Sequence, residues 1–298
     1  MAVAFRFRAE YAALRGAEGL LRAPPEPLAL GLAAALAAAA FAAQPRTRRR
    51  VDRRLEQVFG ATYDPAARRR LARRAWRHFI FSMVDALRAP AMDEAWLRRH
   101  TNCDALSLVR DLKRRSGGGI ILAVPHMGSW ELAGVAVQRL GIDLLTIVRR
   151  QRNPLLDRHL HRVRQSTGVT ALYYGSKLIT QVAGQIRAGR TLAILPDLRA
   201  KTHCIPVQFL GQPAQIPPGM AQFARAAQAP ILPAAIVREG WTQHRWLAFD
   251  PIEPDLSAPS AEDAQRLTQG VMDCFTQAIR RQPEQYFWFN RRWVLGAD

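Results

Sequence analysis

The chain reads Val124-Pro125-His126-Met127-Gly128-Ser129-Trp130-Glu131, a histidine and a glutamate five positions apart. An imidazole can take a proton from a hydroxyl while a carboxylate sets its tautomer and supports the imidazolium, so the pair suits general-base chemistry. On one continuous α-helix five residues turn through about 500°, which leaves the two side chains roughly 140° apart. They converge only if His126 lies on a turn and Glu131 in the first turn of the helix that follows. The flanking residues predict that arrangement. Gly119-Ile120-Ile121-Leu122-Ala123-Val124 reads as a buried strand, Gly128 permits a tight turn, and Ser129 reads as a helix N-cap. The same spacing also arises by chance, with His126 ending a strand and Glu131 a solvated carboxylate favoured by the helix dipole.

The elements needed to position such a pair are legible after residue 117. Strands are expected at 119–125, 143–148, 170–174, 191–196, 205–209, 231–237 and 245–250, and helices near 130–139, 153–167, 176–188, 218–228 and 261–281. Alternation at this spacing predicts an α/β fold with a mostly parallel central sheet flanked by helices, over residues 101–298. The proline- and glycine-bearing stretch 211–219 reads as a loop. Ligands of open α/β sheets sit beyond the carboxyl ends of strands, which draws His126, Arg149 and Asp197 towards one crevice. Asn153, Arg158 and Arg164 follow Arg149, and Arg199 and Lys201 follow Asp197.

Charge is the outstanding compositional feature. The 298 residues carry a formal charge of +19, almost all of it arginine, since Lys113, Lys177 and Lys201 are the only lysines. Guanidinium forks bind phosphates and carboxylates bidentately, so the partners to expect are an anionic membrane face, an acidic carrier protein or nucleic acid. No zinc-finger, RRM or helix-turn-helix signature accompanies the charge, which argues against nucleic acid. Cys103, Cys204 and Cys274 are isolated, without metal-ligand or disulfide spacing, and no metal or cofactor is expected. His203 and Cys204, as strand neighbours, would point to opposite faces.

Residues 27–43 form an uncharged, alanine-rich helical stretch at the lower limit of length for a membrane span. Arg46, Arg48, Arg49 and Arg50 follow directly, with Arg53 and Arg54 beyond, a cluster suited to anionic headgroups on the cytoplasmic side. Residues 1–100 therefore read as a helical, membrane-associated extension, with a buried helix of a soluble protein as the alternative for 27–43. Asp64-Pro65 starts an amphipathic helix running to about Leu87. Its Trp76, Phe79, Ile80 and Phe81 read as packing residues.

These motifs together resemble the bacterial lipid A biosynthesis late acyltransferases, which add lauroyl or myristoyl chains to lipid A precursors. His126-Met127-Gly128-Ser129-Trp130-Glu131 resembles the family's H-x-G-N-W-E motif, with Ser129 in place of asparagine. Arg149 with Asn153-Pro154, Arg164 with Gly168, and Phe209-Leu210-Gly211 match further family segments, as does the closing Pro283-Glu284-Gln285-Tyr286-Phe287-Trp288-Phe289-Asn290-Arg291-Arg292. Leu198 stands after Asp197 where the family commonly has glutamine.

The resemblance implies a glycerolipid-acyltransferase-like fold at the inner membrane, its site facing the cytoplasm. It implies acyl transfer from a thioester on acyl carrier protein, or on CoA, to a glycolipid hydroxyl, with no covalent enzyme intermediate. His126 would be the base and Glu131 its support. Backbone N–H groups near Gly128 and Ser129, or Arg164, would serve the oxyanion. Arg149, Asn153, Arg158 and Arg164 would contact substrate, and Asp197 would be structural or orient the acceptor. A related branch that acylates mannosylated phosphatidylinositol from acyl-CoA is the alternative acceptor reading. Thioester hydrolysis and nucleic-acid binding are the readings from other classes.

Overall fold

The computed structural model describes residues 4–102, 104–199 and 203–296; Cys103 and Lys201 lie outside the described residues. Four helices come first: α1 (Phe5–Arg22), α2 (Glu26–Ala42), α3 (Pro45–Phe59) and α4 (Pro65–Arg88). The remainder runs α5 (Glu94–His100), β1 (Thr101–Asn102), α6 (Asp104–Ser116), β2 (Ile121–Ala123), α7 (Trp130–Arg139), β3 (Leu144–Val148), α8 (Pro154–Thr167) and β4 (Thr170–Tyr173). It continues through α9 (Leu178–Arg187), β5 (Thr191–Ile194), β6 (Ile205–Phe209), β7 (Gln212–Ile216), α10 (Gly219–Ala227), β8 (Ile231–Glu239), β9 (Gln243–Ala248) and α11 (Ser260–Arg281).

The expected α/β fold is present. Seven strands form one sheet in the order β1-β9-β8-β2-β5-β3-β4, and every pairing is parallel except β8 with β9. Ile121, Leu122 and Ala123 of β2 are all buried, as a strand covered on both faces requires. Gly119 admits this strand beside its neighbour, because a Cβ there would lie 1.8 Å from the Arg190 carbonyl oxygen.

Two sequence expectations are corrected. Residues 212–216, expected as loop, form β7, which pairs antiparallel with β6 in a separate two-stranded ribbon. Leu210 and Gly211 both take positive φ, +54° and +82°, the geometry of a two-residue hairpin turn. Alternation was there to be read, since Ala214 and Ile216 are buried while Pro213 and Gln215 face outward. Pro213 masked it, and a ribbon with no central strand tolerates proline. His203 and Cys204 precede β6, with His203 exposed at φ +52°, so the strand argument for separating them does not apply.

The amino-terminal helices share a core with the sheet: Phe41, Leu55 and Trp76 belong to the apolar cluster that holds Ile121, Leu145 and Trp288. Arg54, itself buried, donates to the carbonyls of Trp288 and Asn290 at 2.7 Å each. Helix α4 begins as its sequence predicts, with Asp64 accepting from the Ala67 N–H at 2.7 Å ahead of Pro65. Helix α2 is buried along Ala29, Leu30, Ala33, Ala37 and Phe41, while Leu28, Leu32 and Leu36 face outward. Among the described residues no single helix is long and apolar enough to cross a membrane; α2 and α3 reach that length and composition only as a pair bent by 91°.

Candidate active site

Three adjacent parallel strands deliver the site. Strand β2 leads into His126, its neighbour β5 into Asp197, and β3 on the far side of β5 into Arg149, so all three residues leave the same edge of the sheet. His126 Nδ1 lies 2.7 Å from Asp197 Oδ1, and the His126 backbone N–H donates to Asp197 Oδ2 at 2.9 Å. Asp197 is fully buried and the imidazole is 16 % exposed. A carboxylate on Nδ1 fixes that nitrogen as the donor and leaves Nε2 as the basic one. The Tyr286 hydroxyl, also buried, hydrogen-bonds Asp197, and burial together with that carboxylate drives its own ionisation well above the ordinary tyrosine range. Tyr286 thus remains a neutral donor.

The carboxylate that holds the ring is therefore Asp197, which corrects the support role expected of Glu131. Glu131 does lie in the first turn of α7 as its spacing predicted, but it is exposed and its side chain hydrogen-bonds none of the described residues. It lines the same cavity as His126.

The turn between β2 and α7 is fixed through its backbone. Gly128 takes φ +58°, and a Cβ there would lie 1.8 Å from the Ile236 carbonyl oxygen, so no other residue fits. Its N–H donates to the Gln285 carbonyl at 2.9 Å, and its carbonyl accepts from Ser82 Oγ at 2.6 Å. This removes Gly128 as an oxyanion donor, because its only N–H is already used. Ser129, expected as a side-chain N-cap, makes no capping bond; its hydroxyl donates to buried Asp85, which also holds Arg238. Beside them His244 is pushed down to about 4 by burial, which outweighs the pull of Asp85, and so stays neutral. The Ser129 backbone N–H is what remains of the expected oxyanion pair.

His126 opens on a cavity of about 430 Å³, within the usual range for a small-molecule site. Its walls are largely apolar, with Val135, Leu144, Ile147, Val163, Leu195 and Leu198 among them. The polar exceptions include Glu131, Arg149 and Arg164. Arg149 also lies 4.7 Å over the Tyr174 ring, which limits its motion. Two other expected substrate residues are elsewhere. Asn153 is buried at the start of α8, where it accepts the Leu155 N–H and donates to Phe7 O and Glu10 Oε2 of α1. It is a helix cap and a tether, not a substrate ligand. Arg158 lines a second cavity, between α1, α8 and the end of β4.

The tail missed as functional by sequence reasoning closes the site. Phe287 donates its N–H to the His126 carbonyl at 2.9 Å and stacks on Trp130, with ring centroids 5.7 Å apart. Phe79 of α4, expected as packing, stacks on Phe287 at 4.4 Å. The dense aromatic run at 286–289 was the available signal. Among the described residues no group of three histidine, cysteine or acidic side chains could hold a metal ion.

A histidine–carboxylate pair opening on an apolar cavity at a sheet edge is the arrangement that proton transfer beside an apolar substrate requires. The family model for bacterial lipid A biosynthesis acyltransferase matches residues 11–294, and the chain belongs to that family. It is an O-acyltransferase. A phosphatidylinositol mannoside acyltransferase of Mycolicibacterium smegmatis is 28% identical over 294 residues, 94% of this chain and 90% of that protein. Its namesake in Mycobacterium tuberculosis is 28% identical over 192 residues, 63% of this chain and 58% of that protein. A lipid A biosynthesis acyltransferase of Haemophilus influenzae is 24% identical over 176 residues, 59% of this chain and 54% of that protein.

Proposed function

We propose that the enzyme transfers a fatty acyl chain from a carrier thioester to a hydroxyl of a phosphorylated glycolipid, with His126 as general base. The observation that carries this reading is the 2.7 Å contact of His126 Nδ1 with buried Asp197, on a ring that borders an apolar cavity. The acceptor O–H gives its proton to Nε2 as its oxygen bonds the thioester carbonyl carbon. The tetrahedral oxyanion is met by the Ser129 N–H and the Arg164 guanidinium. Collapse breaks the C–S bond, and the imidazolium returns the proton to the leaving thiolate. Asp197 stabilises the imidazolium throughout, and the apolar walls take the acyl chain.

Acyl carrier protein is the donor carrier in this reading, because a carrier of acidic character suits a chain of charge +19. A lipid A precursor is the acceptor by family, and similarity over most of the chain to a phosphatidylinositol mannoside acyltransferase favours a mannosylated phospholipid as the second reading. Both acceptors are membrane lipids. The exposed Leu28, Leu32 and Leu36 would enter the cytoplasmic face of the inner membrane, and Arg48, Arg49, Arg69 and Arg73 around the α2–α3 elbow would meet its anionic headgroups.

The test is acyl transfer from acyl carrier thioester or acyl-CoA to defined glycolipids, with His126→Ala and Asp197→Asn beside wild type. Each variant is expected to lose about 10²- to 10⁴-fold in kcat. Near-wild-type turnover of His126→Ala removes the mechanism. Equal thioester consumption with and without acceptor makes the enzyme a hydrolase instead.

A further inference from the structure

The second cavity, of about 620 Å³, lies between α1, α8 and the end of β4, and its character is unlike that of the first. It has one aliphatic side chain in its lining, Leu155, against Arg150, Arg158, Arg162, His161, Tyr11 and Tyr173. Asp157 is the sole carboxylate, and its Oδ1 accepts the Gln151 N–H at 2.8 Å. None of the three arginines forms an ion pair or side-chain hydrogen bond with the described residues. Arg158 and Arg162 are four apart on one helix, so they repel one another across the same face. Arg150 lies 4.8 Å over the Tyr173 ring and is thereby held at the cavity. His161 keeps a buried Nδ1 without a partner.

The wall facing these cations is deliberately anchored. Helix α1 is fixed to α8 by the Asn153 tether and by Glu18, whose Oε1 lies 2.7 Å from His159 Nε2. That pairing places Tyr11 in contact with the His159 ring and at the edge of the cavity. The two cavities share walls: consecutive Arg149 and Arg150 line the first and the second, and so do consecutive Val163 and Arg162 of α8. The two cavities are therefore neighbours across this wall.

We propose that this cavity binds a phosphate ester carried by one of the two substrates, gripped by Arg150, Arg158 and Arg162. Guanidinium forks match phosphate oxygens, and an anion relieves the repulsion between the unpaired cations. The sparse apolar lining suits a polar head and not a fatty chain. The phosphate comes either from the phosphopantetheine arm of the donor or from the headgroup of the glycolipid. That choice rests on the acyl-transfer reading, whereas phosphate recognition itself does not.

The experiment uses the full chain in detergent, as wild type, as Arg158→Gln/Arg162→Gln, and as a control of equal charge, Arg114→Gln/Arg115→Gln on α6. Binding of 4′-phosphopantetheine and of glycerol 3-phosphate is measured by calorimetry, alongside KM for donor and for acceptor. The cavity variant should lose at least 10-fold in affinity for one probe, or raise one KM at least 10-fold, with kcat within about threefold. A higher donor KM with lost phosphopantetheine binding identifies the donor arm, and a higher acceptor KM identifies the headgroup. If acyl transfer itself is absent, arginine-dependent probe binding still supports the site. The proposal is overturned if wild type binds neither probe and neither KM moves, or if the control variant shifts the same quantities equally.

Discussion

The His126 turn and the α2–α3 elbow are both apolar stretches beside charged groups, yet they are held in opposite ways. At the turn, the backbone of His126 is bonded on both sides, to Asp197 and to Phe287, and that of Gly128 to Gln285 and Ser82. These partners come from strand ends, helix α4 and the carboxyl-terminal tail, more than forty residues away in every case. At the elbow, the inner face of α2 packs on α4, while its outer leucines and Arg46, Arg48 and Arg49 after it are exposed. Placing a side chain to within a fraction of an ångström needs many distant contacts, whereas the bilayer contact proposed for the elbow would need only area and charge.

The comparison breaks first at Gly128. Gly128→Ala would force a Cβ into the Ile236 carbonyl, and the expected result is loss of folded protein, read by yield and thermal melting. The next largest effect separates the two carboxylates. Asp197→Asn should lose about 10²- to 10⁴-fold in kcat through the wrong imidazole tautomer, and Glu131→Gln distinctly less. The reverse ranking in steady-state assays would return the support role to Glu131. Tyr286→Phe removes one donor from Asp197 and should cost roughly 10-fold in kcat, in line with about 1–3 kcal/mol for a buried unsatisfied partner, with the pH–rate profile displaced.

At the elbow, Leu28→Ser/Leu32→Ser/Leu36→Ser should abolish sedimentation with anionic vesicles while preserving turnover on detergent-dispersed acceptor. Equal loss of both readouts would mean the outer face supports the site as well. The smallest effect is thermodynamic. Burial, aided by Asp85, raises Glu26 at the start of α2 to about 7 from an ordinary value near 4.5. Its protonated form is favoured in the fold, so stability is present below pH 4.5 and falls as pH rises through 7. Glu26→Gln should therefore raise Tm at pH 8 and leave it nearly unchanged at pH 4, as followed by circular dichroism.

Much of the fold was legible because its signals are local. Apolar runs, Asp64 ahead of Pro65 and Gly168 at the end of a helix each report on a few neighbouring residues, and the helices and parallel strands follow them closely. The convergence of His126, Asp197 and Arg149 was also legible, because parallel strands share a carboxyl edge. The hairpin at 212–216 was hidden by a proline, and Asn153 was misread because its tether to α1 spans 143 residues or more.

What the chain determined alone is a histidine on a turn, a parallel sheet to carry it and a strongly cationic composition. Only the tertiary structure decided that Asp197 and not Glu131 holds the imidazole, that Gln285 consumes the Gly128 N–H, and that the arginines after β3 divide between two cavities. The physical reason is geometric. Periodicity and capping record which way a side chain faces along its own element, whereas a hydrogen bond requires two atoms within about 3 Å, and that separation is set by how distant elements pack.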